Sequence, residues 1–339
     1  MRRIVLFAAV FATACLAVPV AHAVDQCPAL GAQAASTDAA TRIAAVACSE
    51  NLLWYRPFID ANGRMASATV AEGESSLLAD GVTQAWQRVA AYWRDSGLLA
   101  RMSGFPGAGQ CALPVAVGEG SPWCRAFIID HPWSAAFTSY VMAKAGVPGF
   151  RPSAAHFDYV RDAWLHPATS PYLYQDPATA TPAPGDLLCA VRGGLQPRGH
   201  AGLVKSIDAG GRALNMHCDI VVAVDSGDGK AYLIGGNVQQ GVTMRLLNIN
   251  RLGHFWALPQ RSVVDPQCSP DNAASCDFNR QDWAVLLKLK PPGELARLPS
   301  LLPPMAAPMP SQAAPACCVN CVLGAPVPRC PDARSTAQP

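Results

Sequence analysis

Ser134 is the side chain of this sequence that is best placed to act as a nucleophile. In the segment 130–150 that contains it, Pro132 suits the first position of a helix, where an N–H donor is not needed. Gly146 and the proline two residues later supply a stop for the same helix. A side chain in the first turn lies near unpaired N–H groups and the positive end of the helix dipole, which favours developing negative charge. The pattern therefore predicts a helix that carries Ser134 at its N-terminus.

Five short motifs resemble, in order, those of one group of papain-like hydrolases. The segment Pro-Trp-Ser-Ala-Ala-Phe is similar to the nucleophile helix of the NlpC/P60 and CHAP group, with Ser134 at the position of the family's cysteine. A more specific resemblance, over about residues 42–256, is to the bacterial DUF2272 family. The matching segments are Pro132–Phe137, Ser153–His156, Pro184–Cys189, His217–Val222 and Gly235–Val238. The resemblance implies an α+β, papain-like NlpC/P60-type fold, with N-terminal helices packed on an antiparallel β-sheet.

The same resemblance implies a catalytic set of three residues. In this superfamily a nucleophile on a helix faces a histidine at the start of the sheet, and a polar residue on the next strand orients that histidine. Carried over motif by motif, Ser134 is the nucleophile, His217 the base and Asn237 the orienting group. Gly235 and Gly236 would let the backbone approach the site closely.

Other residues compete for the roles of base and nucleophile. The Gly-His-Ala-Gly segment at His200 imitates the histidine strand of many relatives, but His217 lies one hairpin before Asn237 and in the better strand pattern. Cys218 would point to the opposite face of the strand from His217, which makes it a poor nucleophile. His156 falls in a matching segment and could line the cleft.

A serine in place of cysteine changes the expected chemistry. A histidine and a helix N-terminus can stabilise a thiolate, whereas a serine needs a general base during the attack. A Ser-His-Asn set should also be slower than Ser-His-Asp, because asparagine lacks the carboxylate that stabilises the imidazolium. Asp219 would point to the same face as His217 and could assist. The competing interpretation is that Ser134 only caps its helix.

Cysteine usage indicates disulfides rather than metal or cofactor binding. Of 13 cysteines, twelve remain without Cys15, and an even number in an exported chain is typical of disulfides. The predicted local pairs are Cys27 with Cys48, Cys111 with Cys124 and Cys268 with Cys276, while Cys189 and Cys218 could bridge two strands. The C-terminal cluster at 317, 318, 321 and 330 could bind zinc, although export favours disulfides. The other histidines lack a His-x-x-x-His spacing, so no catalytic metal and no cofactor is predicted.

The N-terminus predicts export. Residues 1–23 combine a basic start, an apolar run and an Ala-His-Ala cleavage site, which is typical of a secretory signal peptide. A lipoprotein attached through Cys15 is a minor alternative. The sequence has 26 Lys+Arg and 24 Asp+Glu, so loss of Arg2 and Arg3 leaves the mature chain without net charge. We expect a periplasmic or secreted protein with no transmembrane segment in the mature chain and no nucleic-acid partner.

Helical patterns precede strand patterns along the chain, which predicts an α+β fold with an antiparallel sheet. Helices are predicted over 38–55, from Asp80 through Trp93, and from Ser153 to Trp164, in addition to the helix of Ser134. Strands are predicted over 187–192, 203–207, 217–224, 231–234, 242–247 and 255–258, with a surface loop over 166–184. The predicted organisation is a signal peptide (1–23), an N-terminal helical extension (24–79), a DUF2272-like domain (80–290) and a Pro/Cys-rich disordered tail (291–339).

These features predict an exported hydrolase of NlpC/P60 or CHAP type that acts on amide bonds of cell-wall peptidoglycan. The substrate follows from the resemblance alone, and one fold can host many functions. Two alternatives remain open. One is a non-catalytic envelope-binding module with a retired active site, and the other is a serine esterase or acyltransferase, for which serine is the more natural nucleophile.

Overall fold

The structure, a computed structural model, describes residues 25–112, 122–193 and 198–299, and a seven-stranded sheet lies at the centre of these residues. The strands are β1 (Phe58–Ile59), β2 (Tyr172–Gln175), β3 (Leu187–Val191), β4 (Met216–Asp225), β5 (Lys230–Val238), β6 (Gly241–Asn248) and β7 (Asp282–Leu289). They lie in the order β1-β6-β5-β4-β3-β7-β2. Neighbouring strands are antiparallel, except that β1 runs parallel to β6. The predicted α+β class with a mostly antiparallel sheet is confirmed.

Most helices precede the long strands in the chain. They are α1 (Cys27–Leu30), α2 (Ala39–Leu53), α3 (Ala85–Asp95), α4 (Ala108–Cys111), α5 (Pro122–Asp130), α6 (Ser134–Lys144), α7 (His156–Leu165), α8 (Gly199–Asp208) and α9 (Pro292–Leu295). Short 3-10 segments lie at Gly31–Gln33, Leu99–Met102 and Pro270–Ser275. No helix within the described ranges is long and apolar enough to cross a membrane.

Helix α6 is the central helix of the core. Every residue from Ser134 to Met142 is buried, which is typical of a helix that is covered on all sides. The ring of Phe137 packs directly on the backbone of β5, where a Cβ atom on Gly236 would lie 2.4 Å from the ring. The prediction that glycines permit a close approach here is confirmed at Gly236.

A buried carboxylate joins α6 to two earlier helices. Glu50 of α2 accepts hydrogen bonds from Arg88 Nε of α3 at 2.8 Å and from the hydroxyl of Tyr140 in α6 at 3.1 Å. The hydroxyl of Tyr92 donates to the same carboxylate at 2.8 Å. A buried charge is tolerated only when it is paired and hydrogen-bonded, as it is here. The cluster therefore fixes α6, and with it Ser134, against the N-terminal helices.

Four disulfides lie within the described residues, and they confirm the predicted pairs. The bonds are Cys27–Cys48, Cys111–Cys124, Cys189–Cys218 and Cys268–Cys276. Cys189 and Cys218 are direct partners in the β3–β4 ladder, so that the adjacent Ala190 pairs with His217. Cys218 thus points away from the face of His217, as predicted from strand alternation. Cys15, the signal peptide and the C-terminal cysteine cluster lie outside the described residues.

The strand predicted over 203–207 is wrong, because this segment belongs to α8. Leu203 and Ile207 are buried and four residues apart, which is also the spacing of one helical face. At the start of α8, the carboxylate of Asp282 accepts hydrogen bonds from the N–H groups of residues 198 and 199 at 2.7 and 2.8 Å. An anion at a helix N-terminus is stabilising. His200 therefore lies on a helix, where its Nδ1 donates to the carbonyl of Ala284 at 3.0 Å.

Three strands escape the sequence patterns, namely β1, β2 and β7. The predicted surface loop 166–184 contains β2, whose buried Tyr172 donates a hydrogen bond to the carbonyl of Gly185 at 3.2 Å. Strand β7, which lies between β3 and β2, is apolar on both faces and shows no alternation that would predict it. Conversely, the predicted strand 255–258 is wrong, since Phe255 forms only an isolated bridge with Ile249.

Three predicted boundaries also shift. Helix α3 begins at Ala85, and Asp80 instead accepts hydrogen bonds within a preceding turn. Helix α7 begins at His156 rather than after a Ser153 cap. The segment predicted as a disordered tail begins with α9, and residues 300–339 lie outside the described part of the chain.

Candidate active site

Ser134 is the first residue of α6, and its hydroxyl group is bound to a histidine. Ser134 Oγ lies 2.8 Å from His156 Nε2 at the start of α7. The other ring nitrogen of His156 is hydrogen-bonded to the hydroxyl of Tyr159. Because both partners are hydroxyl groups, either ring nitrogen of His156 can carry the hydrogen. Ser134 keeps 8% of its surface exposed and His156 keeps 3%, so both residues of this hydrogen bond are buried.

A second histidine packs beside the first. The ring of His217, near the start of β4, lies 5.2 Å from the ring of His156 at an interplanar angle of 69°. His217 Nε2 lies 2.8 Å from Asp219 Oδ1, and since a carboxylate can only accept, Nε2 carries the hydrogen. His217 Nδ1 is buried and has no hydrogen-bond partner among the described residues. It is therefore an unused lone pair, which is the state that a general base requires.

The second carboxylate oxygen of Asp219 is bound by an arginine. Arg245 Nε of β6 donates to Asp219 Oδ2 at 2.7 Å. The same guanidinium donates through Nη1 to the carbonyl of Phe278 at 2.6 Å and to Asn279 Oδ1 at 2.8 Å. Burial acts to raise the pKa of Asp219, but the charge of Arg245 and the hydrogen bonds from His217 and Arg245 hold it well below its usual range. Asp219 is therefore ionised at neutral pH and available to orient His217.

The two histidines are uncharged at neutral pH. Burial lowers the pKa of His156 well below 6.5, and the neighbouring His217 and Arg192 act in the same direction. Burial also lowers the pKa of His217, against the opposing attraction of Asp219. Each imidazole can thus accept or relay a proton without first losing one.

Asn237 lies against the start of α6. With its amide nitrogen turned toward Glu72, it donates to Glu72 Oε2 at 3.0 Å, and its oxygen accepts from the backbone N–H of Trp133 at 3.3 Å. The indole N–H of Trp133 donates to the same oxygen of Glu72 at 2.5 Å. Burial raises the pKa of Glu72. The structure thus brings Asn237 to the residue before Ser134, while the hydrogen-bond partner of His217 Nε2 is Asp219.

Comparison with known proteins places this site within a family. The family model of DUF2272, described as an uncharacterised protein conserved in bacteria, matches residues 80–289, which is more than half of the chain. The chain belongs to the DUF2272 family. No curated protein and no solved structure matches it. In this DUF2272 chain the matched range contains Ser134, His156, His217 and Asp219, whereas Glu72 lies before it.

In this DUF2272 chain the structure brings Ser134 to His156, and His156 to His217, whereas the sequence indicated only that His156 could line the cleft. The signal available was the His-x-x-Tyr spacing, which puts His156 and Tyr159 on one face of a helix start. The ion pair of Asp219 with Arg245 carries no local signal, because the two residues lie on different strands. No sequence pattern indicates the contact of Glu72 either, since this residue lies in a loop outside the matched range. Within the described residues, no three His, Cys, Asp or Glu side chains are grouped to hold a metal ion.

The arrangement has the parts needed for acyl transfer. Ser134 offers a hydroxyl, and His217 offers a free nitrogen whose tautomer is set by Asp219. The first N–H groups of α6 have no helical carbonyl partner, and such groups can stabilise an oxyanion. His156, at the start of α7, is hydrogen-bonded to the hydroxyl of Ser134.

Proposed function

We propose that this protein is an exported, papain-like hydrolase of NlpC/P60 or CHAP type that cleaves amide bonds of cell-wall peptidoglycan through Ser134. The observation that carries the proposal is the hydrogen bond of Ser134 Oγ to His156 Nε2 at 2.8 Å, beside a carboxylate-bound His217. The helix-then-sheet layout supports the papain-like assignment. The disulfides are consistent with an oxidising periplasmic or extracellular location.

We assign the role of general base to His217 and the role of its orienting group to Asp219. Nδ1 of His217 is unpaired, and a carboxylate stabilises the imidazolium that forms when this nitrogen accepts a proton. His156 has hydroxyl partners on both nitrogens and no carboxylate, so its role is to hold Ser134 Oγ. When His156 Nε2 donates to Oγ, the serine hydrogen is left free to be given to His217.

The reaction then follows in two halves. Ser134 Oγ attacks the amide carbonyl carbon while its proton passes to His217 Nδ1, and the resulting oxyanion is stabilised by N–H groups of the first turn of α6. His217 returns the proton to the leaving amine as the C–N bond breaks. Water then attacks the acyl-serine and gives a proton to His217, and the ester bond breaks as His217 returns that proton to Ser134 Oγ. Asn237 and Glu72 position the start of α6 throughout.

Covalent labelling with a fluorophosphonate tests the nucleophile directly. The mature wild-type protein should form a phosphonylated Ser134 and should release muropeptides from purified sacculi, and Ser134→Ala and His217→Ala should do neither. Ser139→Ala is the matched control, because Ser139 is a buried serine of the same helix whose hydroxyl binds the carbonyl of Ser153. If His156→Ala abolished labelling while His217→Ala did not, the base would be His156.

Two other outcomes would replace the proposal. Labelling and ester hydrolysis without muropeptide release would indicate a serine esterase or acyltransferase. Binding of sacculi with no labelling of the wild-type protein would indicate a non-catalytic envelope module with a retired site.

The rate of labelling should remain high in mildly acidic solution. Because burial lowers the pKa of His217 below 6.5, the base stays neutral at a pH at which an ordinary histidine is half protonated. The rate should therefore fall with a midpoint below pH 6.5, as measured by labelling time courses between about pH 4.5 and 8 with circular dichroism as a check on folding. A midpoint at or above pH 6.5 would contradict the buried, neutral base.

A further inference from the structure

Arg192 directly follows β3 and lies on the same side of the sheet as His217. Ala190 is the cross-strand partner of His217, and successive side chains of a strand alternate between faces. Arg192 is two residues after Ala190, and its N–H extends the ladder by donating to the carbonyl of Asn215 at 2.7 Å. Arg192 is therefore the diagonal neighbour of His217, within reach of a long side chain.

The charge of Arg192 is not neutralised by the site. Both oxygens of Asp219 are occupied, one by His217 and the other by Arg245. Within the described parts of the chain, no ion pair or side-chain hydrogen bond engages the Arg192 guanidinium. The histidines are neutral, and the residue itself is exposed while they are buried. The site therefore presents the exposed positive charge of Arg192 beside neutral histidines and the paired charges of Asp219 and Arg245.

The electrostatics of the site agree with this geometry. Burial lowers the pKa of both His156 and His217, and the charge of Arg192 acts in the same direction on each. This effect agrees with a guanidinium that lies within Coulomb range of the two histidines. An anion bound by Arg192 would lie next to the reacting bond.

We propose that Arg192 is a substrate-binding residue that recognises a free carboxylate next to the amide bond that is cleaved. An arginine guanidinium matches a carboxylate with two parallel hydrogen bonds, which fix both position and orientation. The substrate class is thus a peptide amide with a free carboxylate on a residue adjoining the scissile bond. This inference rests on the proposed function, because it names a feature of the substrate of the same site.

Binding to a Ser134→Ala variant tests the inference without turnover. The ligands are soluble muropeptides with free carboxylates and the same peptides after conversion of the carboxylates to methylamides. In the Ser134→Ala background, Arg192→Gln should raise the Kd for the free-carboxylate peptides roughly 10- to 100-fold, and Arg192→Lys should raise it less. The methylamides should bind weakly and with the same Kd whether residue 192 is arginine or glutamine.

Arg251→Gln provides the matched control. Arg251 is also exposed, but it lies near the turn that joins β4 to β5, at the opposite end of β4 from His217, and its removal should leave the Kd unchanged. Equal Kd values for Arg192→Gln and its parent would overturn the inference, as would tight binding of the methylamides or no binding of either peptide by the parent.

Labelling of the wild-type protein separates the two proposals. Fluorophosphonate labelling without any dependence of binding on Arg192 would remove this inference and leave the proposed function standing. Carboxylate-dependent binding through Arg192 without labelling would support carboxylate recognition by Arg192 and overturn the hydrolase.

Discussion

Replacing Asp219 with asparagine is expected to slow fluorophosphonate labelling of Ser134 by about 10³- to 10⁴-fold. The carboxylate holds the hydrogen on Nε2 of His217, so that Nδ1 is the basic nitrogen. An amide can donate as well as accept, which allows the opposite tautomer and removes the stabilisation of the imidazolium. The substitution also leaves Arg245 buried without its counter-charge, so the free energy of unfolding should fall by about 3–5 kcal/mol.

Asp186→Asn separates the two effects. Asp186 is likewise a buried aspartate in an ion pair, with Lys288, but it lies at the start of β3 and contacts none of the catalytic groups within the described residues. This variant should lose stability in urea denaturation and keep the wild-type labelling rate wherever it is folded. Labelling of folded Asp219→Asn at the wild-type rate would show that Asp219 does not orient the base.

Gly235→Ala is expected to abolish labelling through crowding alone. A Cβ atom at this position would lie 2.0 Å from Asp219 Oδ1 and 2.9 Å from His217 Nε2, where two atoms already form a hydrogen bond. The carboxylate and the imidazole would have to move apart, which breaks the hydrogen bond between them and leaves buried polar groups unpaired. Overpacking of this kind lowers the free energy of unfolding by about 1–3 kcal/mol, which urea denaturation would measure beside the labelling rate.

Gly104→Ala is the control for Gly235→Ala. Nothing lies within 4 Å of a Cβ atom built at Gly104, so the same methyl group should change neither stability beyond a few tenths of a kcal/mol nor labelling. Wild-type labelling by Gly235→Ala would mean that the pair of Asp219 and His217 is not needed for attack by Ser134.

The parts of the site that sequence could predict are those with a local pattern. Ser134 was identifiable because a helix start can be read from proline, glycine and apolar spacing. His217 and Asp219 were identifiable because strand alternation places residues two apart on one face. The Cys189–Cys218 bond was foreseeable as a bridge because both cysteines lie in segments with a strand pattern.

The remaining parts depend on contacts between distant segments. Arg245 of β6 reaches Asp219 of β4 across the intervening strand β5, and Glu72 reaches Trp133 from a loop. Helix α8 was mistaken for a strand because a spacing of four residues fits both helical and strand periods, and the carboxylate that caps it comes from β7. Contacts between residues that are far apart in the sequence cannot be predicted from a short local pattern.

Through the carboxylates of Glu50 and Glu72, the N-terminal residues help to hold the candidate active site in place. Glu50 anchors the helix that carries Ser134, and Glu72 binds the residue before it, yet both precede the family-matched range. Trp54 and Ile43 of the same region are fully buried in the common core. The point where similarity begins is therefore not a folding boundary. A fragment that started at residue 80 would lack part of its own interior, and we expect the residues on both sides of that point to unfold together.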